Sequence, residues 1–485
     1  MNGFTEKQKT YFFYTVCALF IIINSLLIAQ EFFYFSFIPF VLLVGFMMVY
    51  YLDKLLLLIA FLTPLAVRIG NPDLNVTMAL PTEPMMFAIL LLFIIKLFYD
   101  RHLFDSSFIR HPVTIAIIIN LLWIFFTSLT SVIPIVSFKF LTARLWFVVS
   151  FFFFGVLLFK DYSNIKRFLW LFSIPLAGVI LYITAQHAQN GFDRQVGTWI
   201  VRPFFNDHTA YAAVISLFIP VTLAQVFNSK NMRSLRFIAL LIFTILIVGV
   251  LLSYSRAGWV SLAAAFGIFL ILKFKIDYKI IFSIAVILVG LFFIFKTEII
   301  MELEKNTQDS SGQYAEHVRS ISNISTDASN LERLNRWAAA MRMFKEKPIH
   351  GWGPGTYQLV YAPFQYSKER TVISTNAGDL GNAHSEYIGP LSESGLPGMI
   401  SFIFIVIFVI YTGLKVYKRT PNPEVRLLSF GLLLGLITYF THGIMNNFLD
   451  TDKASVPFWA MIAILVALDI YHKDKKYDNT PSAKH

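Results

Sequence analysis

Three short polar stretches carry the side chains of this 485-residue chain that could do chemistry, and each stands beside a long apolar run. Two of them hold Arg202 and Arg256, whose planar guanidinium groups can bind phosphate through two parallel hydrogen bonds. The third holds His384, and imidazole is the side chain best suited to proton transfer near neutral pH. Phosphate-binding arginines, a proton acceptor and access from lipid together predict a lipid-linked phosphate substrate. The stretches are GTWIVRPFFNDHTAYA at 197–212, SYSRAGW at 253–259 and GNAHSEYIGPLSESGLPG at 381–398.

Each of these residues also has a structural explanation when it is taken alone. Arg256 could extend to water as an interfacial anchor, Arg202 could be an ordinary loop charge, and His384 could simply form hydrogen bonds at a helix start. Glu386 and Glu393 are either active-site carboxylates or partners of nearby arginines, and we favour the second interpretation. The three stretches favour a functional site because all of them fall on one side of a membrane, where charges are costly.

The composition indicates a membrane protein. Hydrophobic residues make up 56% of the chain and charged residues 14%, whereas soluble domains carry about 25% charged residues. Since about 20 apolar residues span a bilayer as a helix, the repeated apolar runs predict an all-α polytopic transmembrane helix bundle of 12 to 14 spans. The first run, Tyr11–Ala29, is too long for a signal peptide and is interpreted as a transmembrane helix. The candidate spans are 11–29, 32–51, 54–67 (short enough to be re-entrant), 84–99, 112–131, 143–159, 167–185, 208–227, 236–253, 257–273, 279–296, 396–417, 425–443 and 455–471.

The distribution of charge predicts the orientation of these spans. Most of the 40 Lys and Arg residues fall in alternate connections, and basic residues are retained on the cytoplasmic side. Both termini are therefore predicted to be cytoplasmic, and the net charge of +11 is a topology signal that gives no support to nucleic-acid binding. The single cysteine, Cys17, excludes a disulfide framework within one chain.

The segment 297–383 is then one large external loop with short amphipathic helices. Apolar residues at helical spacing predict a helix that ends at Pro348 and the turn sequence GWGPG. Such a helix could lie on the membrane surface, cover a cavity or simply pack on the bundle. The apolar positions are Leu334, Trp337, Met341 and Phe344.

Three motifs in this order resemble the O-antigen ligase / O-antigen polymerase superfamily of bacterial integral membrane glycosyltransferases. They are SYSRAGW, ERLNRWAAAMRMFKEKPIHGWGPGTY and NAHSEYIGPLSESGLPG. The resemblance covers roughly 205–445, and the first 200 residues match only in hydropathy. It implies an inverting, metal-independent glycosyltransferase without a cofactor. The enzyme would move a glycan from an undecaprenyl-pyrophosphate donor to an acceptor hydroxyl at the periplasmic face of the inner membrane.

The resemblance also implies roles for individual residues. Arg256 and Arg202 would hold the donor pyrophosphate, and His384 would activate or position the acceptor. Arg333 matches the family's arginine ahead of the tryptophan and would assist. One departure is Ser385, which stands where many members have Asn after the histidine. The supporting residues are Arg333, Arg336, Glu386 and Glu393, and no metal ligand is assigned.

Ligation to lipid A–core and polymerisation of repeat units share one chemistry, so the sequence leaves the acceptor open among lipid A–core, a glycan and another hydroxyl. A flippase for the same polyprenyl-linked oligosaccharide is the alternative from another class, although the two halves show no convincing repeat. A cell-wall polymerase of the shape-and-division type would need an essential aspartate, for which Asp379 is the nearest candidate.

The predicted parts are N-terminal transmembrane helices at 1–200, a ligase-like core at 201–453 that includes the loop 297–383, and a last helix with a basic cytoplasmic tail at 454–485. Membrane lipids complete the expected partners.

Overall fold

The computed structural model of the chain is built almost entirely from helices. Eleven of the described helices are long and apolar enough to cross a membrane, which confirms the prediction of an all-α polytopic bundle. The predicted span 279–296, Asp379 and the tail from residue 474 lie outside the described residues, apart from single positions in the span. The structure describes residues 5–71, 76–100, 102–277, 328–367 and 381–473, with positions 279, 283 and 290.

Residues Met1–Leu58 form a first unit. Its first helix begins with a capping box, in which the side chains of Thr5 and Gln8 satisfy each other's backbone amides. Almost all of its apolar side chains are exposed, as expected for residues that face lipid rather than a protein core. The helices are α1 (Glu6–Ala29), α2 (Ile38–Tyr50) and α3 (Leu52–Leu62), the last of which crosses into the next unit.

Residues Ile59–His485 form the second unit. A π-helical turn, Val149–Phe153, joins α7 and α8 into one continuous apolar span. The helices are α4 (Thr82–Tyr99), α5 (Ser106–Ile109), α6 (Pro112–Leu129), α7 (Pro134–Val148), α8 (Phe154–Leu158), α9 (Tyr162–Gln189), α10 (Arg194–Trp199), α11 (His208–Phe227), α12 (Arg233–Leu252), α13 (Arg256–Phe274), α14 (Ala328–Glu346), α15 (Tyr357–Val360), α16 (Ile388–Arg419), α17 (Pro423–Met445) and α18 (Asp452–Tyr471).

A two-stranded antiparallel hairpin follows α3, where the sequence predicted the third apolar span at 54–67. The strands are β1 (Val67–Asn71) and β2 (Val76–Leu80), and Val67 pairs with Leu80. The turn between α3 and β1 is fastened to α18, because the Lys453 ammonium donates to the carbonyls of Thr63 and Ala66. The helix ends at Leu62, so this segment is too short to span a bilayer as a straight helix, as the sequence suggested.

The core of the second unit lies around α18 and α17. The most apolar 18-residue window of α18 is 89% buried and that of α17 is 78% buried. A helix that is apolar on all sides belongs inside a bundle, whereas helices at the edge keep one face toward lipid. The last helix is therefore a central element of the fold.

The two ends of α16 differ in charge. At its C-terminal end, Lys415 and Arg419 both contact the buried carboxylate of Asp469 at 2.8 Å, and His111 lies 3.3 Å from the same carboxylate. His384 precedes the opposite end, roughly 40 Å away at 1.5 Å per residue. His384 thus lies at the end of the bundle opposite this charged cluster.

Gly395 interrupts α16 near its start, directly before the predicted apolar span 396–417. Its φ of 70° and ψ of −173° are not helical. The interruption leaves backbone groups that the chain after α14 satisfies. Leu396 N donates to Pro348 O at 2.9 Å, and Trp352 N, in the GWGPG turn, donates to Ser392 O at 3.1 Å. The break therefore fixes the position of the loop that follows α14.

Candidate active site

His384 lies in the connection that leads into α16, which begins at Ile388. Its backbone has a φ of 47°, a left-handed conformation that is uncommon for residues other than glycine. The His384 amide donates to Asn382 Oδ1 at 3.1 Å, which supports this turn. Such conformations persist where the surrounding structure holds them, and they are concentrated at functional sites.

Arg336, on α14, contacts the imidazole of His384 directly. Its Nη1 lies 3.1 Å from His384 Nε2 and also donates to Asn382 O at 3.1 Å. Its Nε donates to Glu332 Oε1 at 2.9 Å, and both side chains of this pair are buried. Because a guanidinium group can only donate, Nε2 is the acceptor and the neutral ring carries its proton on Nδ1.

The surroundings of His384 keep its imidazole neutral. Burial first, and then the positive charges of Arg336 and Arg333, lower the pKa of His384 from 6.5 to about 3. Because the folded pKa is below the unfolded one, the stability this group contributes is complete above pH 6.5 and is lost as the pH falls from there toward 3. At neutral pH the ring is available as a hydrogen-bond donor through Nδ1, while Arg336 occupies its lone pair.

We predict that Arg336→Gln raises the pKa of His384 toward 6.5, because it removes the adjacent positive charge while an amide can still donate to Glu332. Histidine-labelled protein in nanodiscs, titrated by NMR, would measure the midpoint, with His384→Ala used to assign the signal. Arg336→Lys retains the charge and is the matched control. If the titration midpoint of His384 is the same in Arg336→Gln as in the wild type, this electrostatic account is wrong.

The start of α11 places a carboxylate beside this cluster. Asp207 caps the helix, and its Oδ1 accepts from the amides of Thr209 at 2.7 Å and Ala210 at 2.8 Å. The charges of Asp207 and Arg333 both lie close enough to act on the His384 imidazole. The structure therefore brings together His384, Arg333, Arg336 and Asp207, of which the sequence singled out the first three as site residues.

Arg256 is the first residue of α13, at the same end of the bundle. Ser255 caps this helix by accepting from the Gly258 amide at 3.4 Å. Tyr254 has a φ of 50°, and its hydroxyl donates to Phe192 O at 3.1 Å, which ties the turn to the end of α9. A cation at a helix N-terminus gains nothing from the helix dipole, whereas an anion there is favoured. Arg256 and the end of α13 together thus favour an anionic ligand.

Arg202 lies in the segment between α10 and α11, and its side chain is exposed. Among the described residues it forms no side-chain hydrogen bond or ion pair. The structure therefore does not place Arg202 in the cluster around His384, and its predicted role in donor binding stays a prediction.

Glu386, two residues after His384, is buried and its side chain holds neighbouring segments together. Its Oε1 accepts from the Tyr439 hydroxyl and from the amides of Phe448 and Leu449, each at 2.9 Å. Its own amide donates to Gly443 O at 2.8 Å. Burial raises the pKa of this carboxyl. The side chain thus connects the residues after His384 to the turn between α17 and α18, which is the geometry a supporting residue needs.

Glu393 supports the turn after α14. Its Oε1 accepts from the Tyr357 amide at 2.9 Å, and its backbone carbonyl accepts from the Gly353 amide at 2.8 Å. The neighbouring Ser392 carbonyl accepts from the Trp352 amide at 3.1 Å. These contacts hold the GWGPG turn against the start of α16, so Glu393 acts on the candidate site through the loop rather than by contact with His384.

α14 is held over the His384 segment by two aromatic side chains. Trp337 Nε1 donates to Ala383 O at 3.1 Å, directly before His384. The Tyr357 hydroxyl donates to Arg336 O at 2.8 Å. The amphipathic helix of the loop therefore packs on the bundle and positions Arg336, which decides among the alternatives that the sequence left open.

The sequence interpretation did not single out His442, which is buried in α17, one residue before Gly443, whose carbonyl accepts from the Glu386 amide. A signal was available, because an ionisable side chain inside an apolar span marks a functional position by default. His187, which packs on Tyr254 with ring centroids 6.0 Å apart, was missed in the same way.

Residues 238–403 match a protein-family model described as O-antigen ligase. The matched region runs from α12 to the middle of α16 and contains Arg256, Arg333, Arg336 and His384 but not Arg202. No curated protein matches the chain.

Proposed function

We propose that this chain, a member of the O-antigen ligase/polymerase superfamily through residues 238–403, transfers a glycan from an undecaprenyl-pyrophosphate donor to an acceptor hydroxyl. Family membership and the apolar helices support a glycosyltransferase-type membrane protein that uses a lipid-linked glycan. The inner membrane, cytoplasmic termini and a periplasmic site are part of the proposal, supported by the alternation of basic residues.

The contact between Arg336 and His384 carries the proposal. A neutral imidazole, at 3.1 Å from a guanidinium group and beside Arg333, combines a proton-transfer group with anion-binding groups. The cluster lies at the end of apolar helices, where a lipid-linked substrate can reach it from the bilayer. A soluble phosphate ester would not need a site in this position.

In the proposed reaction the bond between C1 of the first sugar and the pyrophosphate oxygen breaks, and the acceptor oxygen bonds to C1 from the opposite face. The configuration at C1 is inverted, and the acceptor hydroxyl loses its proton. Arg256 and the other arginines stabilise the charge that develops on the leaving pyrophosphate. Because pyrophosphate is a good leaving group once neutralised, the reaction needs neither a general acid nor a metal ion.

His384 receives the acceptor proton at Nε2 once Arg336 has turned toward the phosphates. Bound pyrophosphate offsets the arginine charges, which raises the basicity of the imidazole at the moment it is needed. The same movement frees the lone pair that Arg336 occupies in the unliganded arrangement.

Deletion of the gene in its bacterium, followed by a surface-glycan gel, tests the function. A polymerase predicts core that carries single repeat units, because ligation continues without chain extension. A ligase predicts naked core with accumulated lipid-linked polymer. An unchanged gel would contradict both forms of the proposal, and complementation with the wild-type gene is the control.

A flippase for the same lipid remains the competing function. Transporters bind substrate near the bilayer midplane, whereas His384 and Arg336 lie at one end of the bundle. Proteoliposomes with the purified protein and a fluorescent polyprenyl-linked oligosaccharide separate the two, since flipping without glycan transfer would contradict the enzymatic proposal.

A further inference from the structure

The C-terminal end of α17 carries buried polar atoms without hydrogen-bond partners among the described residues. His442 is 1% exposed, and both of its ring nitrogens lack a partner. Asn446 is 2% exposed and its Nδ2 also lacks one, as does the buried Oδ1 of Asn447. Buried polar groups that stay unpaired reduce stability, so native proteins rarely leave several of them together. We call His442, Asn446 and Asn447 the α17 polar cluster.

The α17 polar cluster adjoins His384 through Glu386. The Glu386 amide donates to Gly443 O at 2.8 Å, and its carboxylate accepts from the amide of Phe448. Residues 443–448 are thus held against the chain that follows His384. A Cβ at Gly443 would stand 3.2 Å from Glu386 Cγ, so the close approach of the two segments depends on this glycine.

The atoms of the α17 polar cluster are a mixed set of donors and acceptors. A neutral imidazole supplies one donor and one acceptor, Asn446 Nδ2 is a donor, and Asn447 Oδ1 is an acceptor. An anion would be met by donors alone and a metal ion by acceptors alone. A hydroxyl group both donates and accepts, so an uncharged mixed set matches the hydroxyls of a sugar.

We propose that the α17 polar cluster is a subsite for sugar hydroxyls of the glycan next to the bond that is transferred. The inference rests on the proposed function. The arginines hold the pyrophosphate, which every donor of this kind shares, whereas the α17 polar cluster contacts the sugar, which differs among donors. His442 and its two asparagines would therefore contribute to selection of the glycan.

His442→Phe tests the subsite, because it keeps a ring of similar size and removes both polar atoms. Two probes are compared in nanodiscs: undecaprenyl pyrophosphate without a glycan, and the same lipid that bears the strain's repeat unit. Loss of hydrogen bonds to hydroxyls is expected to weaken binding of the glycan-bearing lipid about tenfold and to leave the bare lipid unchanged. The thermal unfolding midpoint should stay equal or rise, since the substitution removes unpaired buried groups.

Asn447→Ala should weaken binding of the glycan-bearing lipid about threefold and leave binding of the bare lipid unchanged. His102→Phe, in the connection that follows α4, is the control for the replacement of a histidine. Equal affinities of His442→Phe and wild type for the glycan-bearing lipid would overturn the subsite while the proposed function stands. A lowered unfolding midpoint of His442→Phe, with unchanged affinities for Asn447→Ala, would assign the cluster to packing and overturn it as well. Wild-type protein that binds neither lipid would contradict the proposed function itself.

Discussion

Replacement of His384 by alanine is expected to lower glycan transfer by about 10²–10⁴-fold, the usual contribution of a proton-transfer group. Binding of the undecaprenyl-pyrophosphate donor should persist, because the arginines that hold the phosphates remain. The substitution removes only the imidazole from the site, and Arg336 keeps its contacts with Glu332 and Asn382 O. Purified protein in nanodiscs with the lipid-linked donor and its acceptor measures transfer, and a separate titration measures donor binding.

Arg256→Ala is the contrasting variant, since it should weaken donor binding as well as lower transfer by about 10²–10³-fold. His102→Ala, in the connection at the opposite end of the bundle, controls for the loss of a histidine. Full transfer by His384→Ala would exclude the role assigned to it, and loss of donor binding in that variant would assign it to the phosphate site instead.

The sequence predicted the helices well because their signal is local. Hydropathy over about 20 residues identifies a span whatever packs against it, and each of the 11 long described helices overlaps a predicted span. The helix of the large loop was predicted from the spacing of four apolar residues, and α14 contains all of them. The hairpin after α3 was not predicted, because Lys453, which holds the turn before it, lies almost 400 residues away in the chain.

The sequence indicated which residues could form the candidate site, but it did not indicate which of them are in contact. His384 and Arg336 were both singled out, yet no spacing rule joins two residues 48 positions apart. The consequence of that contact, a neutral imidazole whose lone pair is occupied, could not be derived from composition. The sequence favoured Glu386 as a partner of a nearby arginine, whereas its described hydrogen-bond partners lie on α17 and the turn that follows it.

Gly395 connects the helix break to this site through the turn after α14. The amide of Leu396 donates to Pro348 O, and the amide of Trp352 donates to Ser392 O. Trp352 Nε1 in turn donates to Met343 O at 3.0 Å, on the helix that carries Arg336. A change at Gly395 should therefore reach Arg336 without touching it.

Gly395→Ala is expected to destabilise the protein by about 3 kcal/mol or more and to reduce transfer, because two costs coincide at this position. A φ of 70° with a ψ of −173° is open essentially to glycine alone, and a Cβ there would overlap the carbonyl group of Ile349. Gly389→Ala is the matched control in the same helix, since its Cβ would meet only Ala383 Cβ at an ordinary 3.9 Å and alanine favours helix. Thermal unfolding in nanodiscs gives the stability, and the transfer assay gives the activity. If Gly395→Ala unfolds at the same temperature as Gly389→Ala, the break in α16 does not hold the turn in place, and the path from Gly395 to Arg336 is wrong.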